Sequence, residues 1–454
     1  MLERIQSMTT EQFRRLTYYG VSRYILLHGI IMYSVQWGVF DYYMVNVLQT
    51  IYMLYFIFIF VAAHMSGQVE IHKGRLPFLG DKLEHFLNAA DICVLIMAVL
   101  GAVSTIFAYD REIALYGADT RNEGLFAWFA YYVLFYSVSL LDETYKRKCA
   151  KMISIIGMLM LWTGIVMSYT GIGVTLLGGS ERVMAFAPLL HHNMYAAFAV
   201  LYFGIHMAML LGADSTGRIV YAAFGVLTAI AAVICSTSSL GLGGIAFELL
   251  VLLVMSLLFD RGHGRQYIRR LLLCLIGSVL LFAILIPVID HTNHGIISAD
   301  AQSNQTMIEE EGVANGLLNG RVDHWKAGLK SLEKYWLMGV GIDNYKKVLK
   351  EYNGFGRYRV STAHNEYIQM AVTEGVFTLM FYLMLLLIMF VSGIRGWRHD
   401  DASDWLVRGA FLAFMGYICQ AFVSFSSVAV TPFFWMIMAM IPVNIPILNT
   451  KDHK

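Results

Sequence analysis

The sequence predicts an all-α polytopic membrane protein with about twelve transmembrane helices and a large, partly helical external loop before the last three spans. The first observation behind this prediction is composition, because 58% of the 454 residues are hydrophobic and only 14% are charged, with mean hydropathy +0.59. Soluble globular chains do not have this balance. The other observations are the spacing of the apolar runs and the placement of lysine and arginine between them.

Apolar runs long enough to cross a bilayer, which takes roughly 20 residues, recur along the chain. The expected spans lie near residues 24–40, 43–65, 87–109, 125–143, 152–176, 184–212, 218–237, 240–258, 271–289, 372–394, 406–426 and 430–449. They divide the chain into an N-terminal transmembrane region (1–289), a large loop (290–371) and a C-terminal transmembrane region (372–454).

Lysine and arginine fall mostly in one alternate set of the connections between these spans. That set carries Lys73, Arg75, Lys82, Lys146, Arg147, Lys148, Lys151, Arg261, Arg265, Arg269, Arg270, Arg395 and Arg398. The opposite set carries chiefly Arg111, Arg121 and Arg182. Because basic loops stay in the cytoplasm, we expect a multi-pass protein of the inner (cytoplasmic) membrane. Both termini are then cytoplasmic, and the loop 290–371 is extracytoplasmic.

Composition also excludes several function classes. A net charge of +1 gives no reason to expect a nucleic-acid partner. The five cysteines are scattered and form no CxxC pair, so we interpret them as small core residues and expect no metal site or disulfide framework. The N-terminus shows no cleavable signal sequence, so the first helix is expected to be retained.

The loop 290–371 is expected to be folded. Trp325, Leu329, Leu332 and Trp336 recur at helical spacing, and Asp343 is placed to cap a following helix. Long loops cross the membrane largely regardless of their charge, so the lysines of this segment do not oppose an outside location. No internal repeat of fixed period is evident, which weighs against an inverted-repeat transporter.

His364 is the first candidate for chemistry. It stands where the polar loop meets the apolar run that follows, within Thr362-Ala363-His364-Asn365. A histidine can take a proton from a hydroxyl near neutral pH and release it later. The alternative is a histidine that caps the last turn of the loop or lies at the membrane interface.

Two arginines are candidates for binding phosphate. Arg321 begins the expected loop helix, and Arg182 stands on the side of the membrane that is poor in basic residues. The guanidinium group suits bidentate contact with phosphate oxygens. Arg321 has a structural alternative as a surface partner of Asp323, and Arg182 as a partner of Glu181 or of lipid headgroups.

For the other ionisable residues the sequence gives weaker indications of a function. Asp91, His206 and Glu248 lie within spans, where such groups face the protein interior and are functional candidates, although a single polar contact between helices also accounts for each. A metal site is not expected. The pair His191-His192 is adjacent and points in different directions on a helix, and His291 and His294 have no third ligand beside them.

The segment Thr362–Thr373 resembles the hallmark of the O-antigen ligase and polymerase family, a His-Asn-x-Tyr-x-Gln run that opens the helix after the large external loop. Further similarity comes from Gly320-Arg321-x-x-x-Trp325, from Trp336-Leu-Met-Gly-Val-Gly341, and from Arg182 with Phe186 and His192-Asn193. The resemblance covers roughly residues 150–395. The expected topology is also similar.

This resemblance implies an integral-membrane glycosyltransferase of the GT-C type that uses neither a metal nor a cofactor. The donor is a glycan on undecaprenyl diphosphate, and the acceptor is another such glycan or a lipid A core. His364 then deprotonates the acceptor hydroxyl, Arg321 and Arg182 bind the diphosphate, and Asn365 and Tyr367 contact substrate. The chain departs from the family at Ser239, where a phosphate-binding arginine is expected, at Glu374, which is shifted by one, and at Thr378, which replaces a glycine.

The leading hypothesis is a polymerase of cell-surface polysaccharide, which joins repeat units of O-antigen, capsule or exopolysaccharide. The first alternative is a ligase that transfers the finished glycan to lipid A core or to protein. A flippase or transporter of lipid-linked oligosaccharide and a peptidoglycan polymerase are more distant alternatives. The partners expected are the lipid-linked donor, a glycan or lipid-linked acceptor, membrane lipids, and proteins that regulate chain length or flip the donor.

Overall fold

The computed structural model describes residues 8–66, 87–119, 121–170, 185–260, 264–292, 321–352, 361–399 and 405–443, with a few single positions between them. Over these ranges the chain is helical and contains no strand. The predicted all-α class is therefore confirmed for the part of the chain that is described.

Sixteen helices are assigned in these ranges. They are α1 Thr10–Gln36, α2 Tyr43–Ser66, α3 Ala89–Ile106, α4 Arg111–Tyr116, α5 Leu125–Ser139, α6 Glu143–Thr170, α7 His192–Leu211, α8 Thr216–Cys235, α9 Ser239–Phe259, α10 Gly264–Thr292, α11 Arg321–Tyr335, α12 Tyr345–Tyr352, α13 Glu366–Glu374, α14 Val376–His399, α15 Trp405–Ala421 and α16 Thr431–Met438.

Eight of the described helices are long and apolar enough to cross a membrane, namely α2, α3, α6, α7, α8, α9, α10 and α14. The shorter apolar helices α5 and α15 coincide with two further predicted spans. The remaining two predictions fall on α1, which is long but mixed in composition, and on α16, which has eight residues. The structure thus supports a multi-pass membrane protein with eight candidate spans, and the number twelve stays a prediction.

Helix α7 forms the centre of the helical bundle. Nearly all of its residues are buried, and its most extensive contacts are with α15 and α8. The crossing with α15 is close, because a Cβ atom on Gly204 would lie 2.5 Å from the backbone nitrogen of Ala413. Small residues that let two helix backbones approach are typical of helix packing in membranes. The N-terminus of this central helix, at His191, is one edge of the site described below.

The described part of the segment 290–371 contains the predicted helices, but with a different buried face. Helix α11 buries Arg321 and His324, whereas Leu329 and Trp336 are 54% and 48% exposed. Helix α12 begins at Tyr345 as expected. The carboxylate of Asp343 accepts a hydrogen bond from the backbone N–H of Ala118 and pairs with an arginine of another segment. The prediction that Asp343 caps α12 is therefore wrong, because that carboxylate is committed elsewhere.

Candidate active site

The turn that carries His364 is fixed by hydrogen bonds on both sides of the histidine. The backbone N–H of Ala363 donates to Oε1 of Gln369 at 2.8 Å, and the carbonyl of Ala363 accepts from Nε1 of Trp325 at 2.9 Å. On the other side, Oδ1 of Asn365 accepts from the backbone N–H of Ile368 at 2.9 Å and caps α13. His364 itself has φ +48°, a left-handed conformation that non-glycine residues seldom adopt. The anchored neighbours therefore hold the histidine in a strained, defined orientation.

His364 faces a cavity of about 510 Å³. Its walls come from five parts of the chain: Tyr42, Asp119 with Arg121, Leu189–His191 with Met194, Ser361 and Thr362 with His364, and Phe425–Ser427. The imidazole packs edge-on against the ring of Phe425, with centroids 5.0 Å apart. The cavity is large enough for part of a substrate and is lined by hydroxyl, imidazole and guanidinium groups as well as apolar side chains.

The surroundings of His364 keep it unprotonated. Burial lowers its pKa to about 3, and the positive charges of Arg321 and Arg121 and the neighbouring imidazoles act in the same direction. Nδ1 of His364 is buried and has no hydrogen-bond partner in the described part of the chain. A neutral imidazole without a protein partner can accept a proton from a bound molecule.

Arg121 lies in the cavity wall between two acidic residues. Its Nη2 is 2.5 Å from Oε2 of Glu123, and its Nε is 2.8 Å from Oδ1 of Asp343. The guanidinium carbon lies 5.1 Å from the centre of the Phe425 ring, and Nη2 also donates to the carbonyl of Ser426 at 3.3 Å. This arginine is thus held rigidly at the same aromatic ring that His364 contacts.

Charge in this group is unbalanced, since one cation faces two carboxyl groups. Burial raises the pKa of both Glu123 and Asp343, although Arg121 acts against that shift. Burial by itself lowers the pKa of Arg121, but Asp343 and Glu123 together raise it above its ordinary value. The guanidinium therefore stays charged, and its position depends on both acids.

A glycine-bearing segment carries Asp343 to Arg121. Gly339 and Gly341 have φ values of +71° and +97°, and a Cβ atom on Gly341 would lie 2.3 Å from that of Ala108. The segment bonds to the C-terminal turn of α13, with Val340 N–H donating to the carbonyl of Val372 at 2.9 Å. Only glycine combines this backbone conformation with so close an approach. The Gly-x-Gly pattern therefore serves to place the acid that holds Arg121.

Arg321 is the second cation beside His364. It is 8% exposed, and in the described part of the chain its side chain makes no hydrogen bond or ion pair with another group. Burial lowers its pKa, and its charge in turn lowers the pKa of His191, His324 and His364. Buried charges are normally paired. An unpaired buried guanidinium next to a cavity indicates a site for an anion.

The other residues expected from the sequence lie in different settings. Arg182 lies outside the described residues. The side-chain oxygen of Asn365 caps α13, and the hydroxyl of Tyr367 donates to the carbonyl of Ile418 at 2.8 Å. Asn365 and Tyr367 therefore have structural partners, and their contact with substrate stays a prediction.

Glu366, between them, fastens α13 to the membrane helices. Its carboxylate accepts hydrogen bonds from the hydroxyls of Tyr382 on α14 and Tyr417 on α15, at 2.7 and 3.2 Å. Burial raises the pKa of Glu366 to about 7. These bonds fix the helix that follows His364 against two helices of the C-terminal region.

The sequence patterns assign no substrate-binding role to Arg121 or His191, which both line the cavity. Arg121 shares with Arg182 the signal of standing against the distribution of basic residues, but no motif singled it out. The sequence pattern presents His191 only as a possible metal ligand. In the structure both lie in the cavity wall with His364. Their proximity arises from packing between segments that are distant in the chain.

Serines stand at the position near Ser239 where the resemblance leads to an expected arginine, and one of them makes a contact between helices. Ser238 donates a hydrogen bond from Oγ to Oδ1 of Asn193 at 2.8 Å, and Ser239 is exposed. This contact joins the start of α9 to the first turn of α7. Arg121 supplies a cation to the cavity from another segment of the chain.

The ionisable residues within the predicted spans lie away from the cavity at His364. Asp91 and Asn88 form a reciprocal cap at the start of α3. Nε2 of His206 is 2.9 Å from Oγ of Ser154. Both carboxyl oxygens of Glu248 are buried and make no hydrogen bond with described residues. Among these ranges, none of the three lines the cavity at His364.

Comparison with known families is consistent with this geometry. Residues 224–383 match the family described as O-antigen ligase. Over these residues the chain is similar to the O-antigen ligase family. The match includes Arg321 and the turn that carries His364, and it confirms the resemblance inferred from the sequence. It does not reach Arg121, His191 or Phe425. A search among curated proteins finds no match to the chain.

Proposed function

We propose that the protein is a membrane glycosyltransferase that polymerises cell-surface polysaccharide. It transfers a glycan from an undecaprenyl-diphosphate-linked donor to an acceptor hydroxyl. The observation that carries the proposal is the cavity at His364. The imidazole is neutral, its Nδ1 has no partner among the described residues, and it stands beside the buried Arg321 and the largely buried Arg121. The match of residues 224–383 to the O-antigen ligase family supports the same class of reaction.

In the proposed reaction His364 is the general base. The acceptor oxygen bonds to the anomeric carbon of the donor glycan, and the bond from that carbon to the diphosphate oxygen breaks. The hydroxyl proton passes to His364, and the lipid diphosphate leaves with the bonding electron pair. A positioned base of this kind contributes typically 10²–10⁴-fold to the rate. The fixed turn around His364 suits this role, because the base must be held near the attacking oxygen.

The arginines are proposed to bind the diphosphate. Arg121 lines the cavity and Arg321 lies beside it, so both can face the negative charge that grows on the leaving group. Stabilisation of developing charge by fixed cations in a site that excludes water is commonly a large contribution to catalysis. Arg182 stays a third candidate. The resemblance implies a reaction without a metal ion, so transfer is expected to persist in excess chelator.

The proposed topology places the cavity on the extracytoplasmic face, with both termini in the cytoplasm. Labelling of single cysteines tests this in a variant that lacks the native cysteines. Lys346→Cys on the exposed side of α12 is expected to react with an impermeant maleimide in intact cells, whereas Lys151→Cys reacts only after permeabilisation. The reverse pattern would invert the topology and remove the extracytoplasmic assignment.

Reconstitution in liposomes distinguishes the polymerase from the ligase. Purified protein is supplied with the lipid-linked repeat unit alone, and products are separated by size. Growth of the chain without a further acceptor is expected. A strict requirement for lipid A core would instead establish the ligase. Movement of the lipid-linked glycan across the bilayer without formation of a glycosidic bond would establish the flippase.

The role of His364 is tested by His364→Ala in the same assay. Transfer is expected to fall at least a hundredfold, with normal expression and unchanged melting temperature. The matched control is His291→Ala, which removes an exposed histidine at the end of α10. Transfer by His364→Ala at a rate close to that of the control would exclude base catalysis by this residue.

A further inference from the structure

We propose that His191 binds the lipid diphosphate by donating a hydrogen bond from Nε2 to a phosphoryl oxygen. This inference rests on the proposed function, since it names a further group that holds the same substrate. His191 stands at the start of α7 and lines the same cavity as His364.

The hydrogen bonding of His191 fixes which nitrogen carries the proton. Nδ1 accepts a hydrogen bond from the backbone N–H of Asn193 at 3.1 Å, and His191 is thereby the N-cap of α7. In a neutral imidazole one nitrogen accepts and the other donates. Since Nδ1 is the acceptor, Nε2 carries the hydrogen. His191 is therefore a donor at Nε2, whereas Nδ1 of His364 has no partner among the described residues.

The ring of His191 lies beside the groups of the proposed reaction. The His191 ring packs edge-on against Phe425, with centroids 6.1 Å apart, and His364 packs on the same ring at 5.0 Å. Arg121 also lies against Phe425. The Phe425 ring thus contacts a hydrogen-bond donor (His191), the proposed base (His364) and a cation (Arg121).

Charge around His191 favours an anion as its partner. Burial lowers its pKa to about 4, and His192 and Arg321 act in the same direction, so the ring is neutral near pH 7. Arg321 is buried and unpaired among the described residues. An uncharged donor beside an unpaired guanidinium and at a helix N-terminus complements a phosphoryl oxygen better than it complements a neutral hydroxyl.

Two substitutions separate this role from the capping of α7. Asparagine places an oxygen near the position of Nδ1 and is a preferred N-cap, but it does not reach the position of Nε2. Glutamine places an amide N–H near the position of Nε2 and is a poor cap. His191→Asn therefore keeps the cap and loses the donor, and His191→Gln keeps the donor and loses the cap.

The test measures the affinity of purified protein for undecaprenyl diphosphate, with undecaprenol as the control ligand. His191→Asn is expected to weaken binding of the diphosphate about tenfold or more, at an unchanged melting temperature. His191→Gln is expected to bind within about threefold of the native protein, with a lower melting temperature. Binding of undecaprenol is expected to be the same in all three. Excess inorganic diphosphate is expected to compete, as it presents the same oxygens.

Native affinity in His191→Asn, or equal loss of affinity in both variants, would overturn the assignment. Binding is measured without transfer, so the two proposals fail separately. A native protein that forms no glycosidic bond, yet binds undecaprenyl diphosphate through His191, would refute the glycosyltransferase and retain the binding site.

Discussion

Oε1 of Gln369 accepts a hydrogen bond from the backbone N–H of Ala363 at 2.8 Å. The glutamine lies in the first turns of α13, so the helix holds the turn that precedes it. With the cap formed by Asn365, this bond explains why histidine, asparagine and glutamine occur at these spacings. Two of the three polar residues fix the backbone, and the third projects into the cavity.

Removal of the glutamine acceptor should therefore impair catalysis without removing any group that touches substrate. In Gln369→Met the side chain keeps its approximate shape, but the buried N–H of Ala363 loses its partner, at a cost of about 1–3 kcal/mol. We expect a fall in kcat of about tenfold or more, with little change in KM. The measurement is steady-state transfer from the lipid-linked donor, together with thermal unfolding. A variant with native kcat would show that His364 does not depend on this bond.

Asn365 tests the difference between capping and contact with substrate. Serine also caps helices well, whereas alanine does not and costs about 1 kcal/mol. If Asn365 acts through the cap, Asn365→Ser retains most activity and Asn365→Ala loses stability and kcat together. The readouts are melting temperature, kcat and KM. A rise in KM in both variants at native stability would favour the amide as a contact of substrate.

The pH dependence of transfer follows from the position of His364. Its pKa is lowered to about 3, so the free protein holds the neutral base at all pH values above about 4. We expect kcat/KM to show no acid limb near pH 6.5, the ordinary value for histidine. Bound diphosphate favours the protonated imidazole, so an acid limb in kcat should lie at higher pH than the limb in kcat/KM.

Substitution of Arg321 tests whether the low pKa of His364 sets this pH dependence. Its positive charge is among the causes that lower the pKa of His364, so Arg321→Met should shift the limb in kcat/KM to higher pH. Profiles recorded with saturating and limiting donor distinguish the two limbs. A native profile of kcat/KM that falls below pH 6.5, unaltered in Arg321→Met, would contradict the assignment of His364 as a buried base.

The arginine between two acids predicts a large effect on stability. Arg121→Met leaves Glu123 and Asp343 buried without their cation, and loss of one partner of a buried ion pair typically costs about 3–5 kcal/mol. Addition of Glu123→Gln to this variant should recover part of the loss, because one uncompensated carboxyl group is removed. Chemical unfolding in detergent measures both. Equal stability of Arg121→Met and the native protein would show that the acids are neutral and independent of the arginine.

Much of the fold could be predicted from the sequence, because a long apolar run indicates a membrane-spanning helix without any knowledge of tertiary contacts. The span expected at 43–65 is the helix Tyr43–Ser66, and the span expected at 240–258 is Ser239–Phe259. Polar residues at the ends blur the signal. The helix that contains the span expected at 152–176 begins earlier, at Glu143. Its first two turns are charged, so an apolar run does not reveal them.

The site was only partly predictable. The motif pointed to His364 and Arg321, which the structure places near each other. The helical spacing of Trp325, Leu329 and Trp336 predicted α11 but not its buried face, since Leu329 and Trp336 are about half exposed while Arg321 is buried. Spacing shows where a helix forms, but the neighbour against which it packs decides which side is covered. Arg121 is close to Phe425 only through such tertiary packing.

The Phe425 ring is in contact with three polar side chains of the cavity. This phenylalanine lies in the C-terminal part of the chain. Arg121, His191 and His364 all contact its ring, and three further helices, α13, α14 and α15, lie between His364 and Phe425 in the chain. During synthesis, the cavity therefore cannot be complete until the C-terminal helices have been inserted. A nascent or truncated chain that stops before Phe425 carries the whole family-matched stretch and still has an open, unassembled pocket. In the proposed function, lipid-linked glycan therefore meets a complete pocket only after the chain has been made past Phe425.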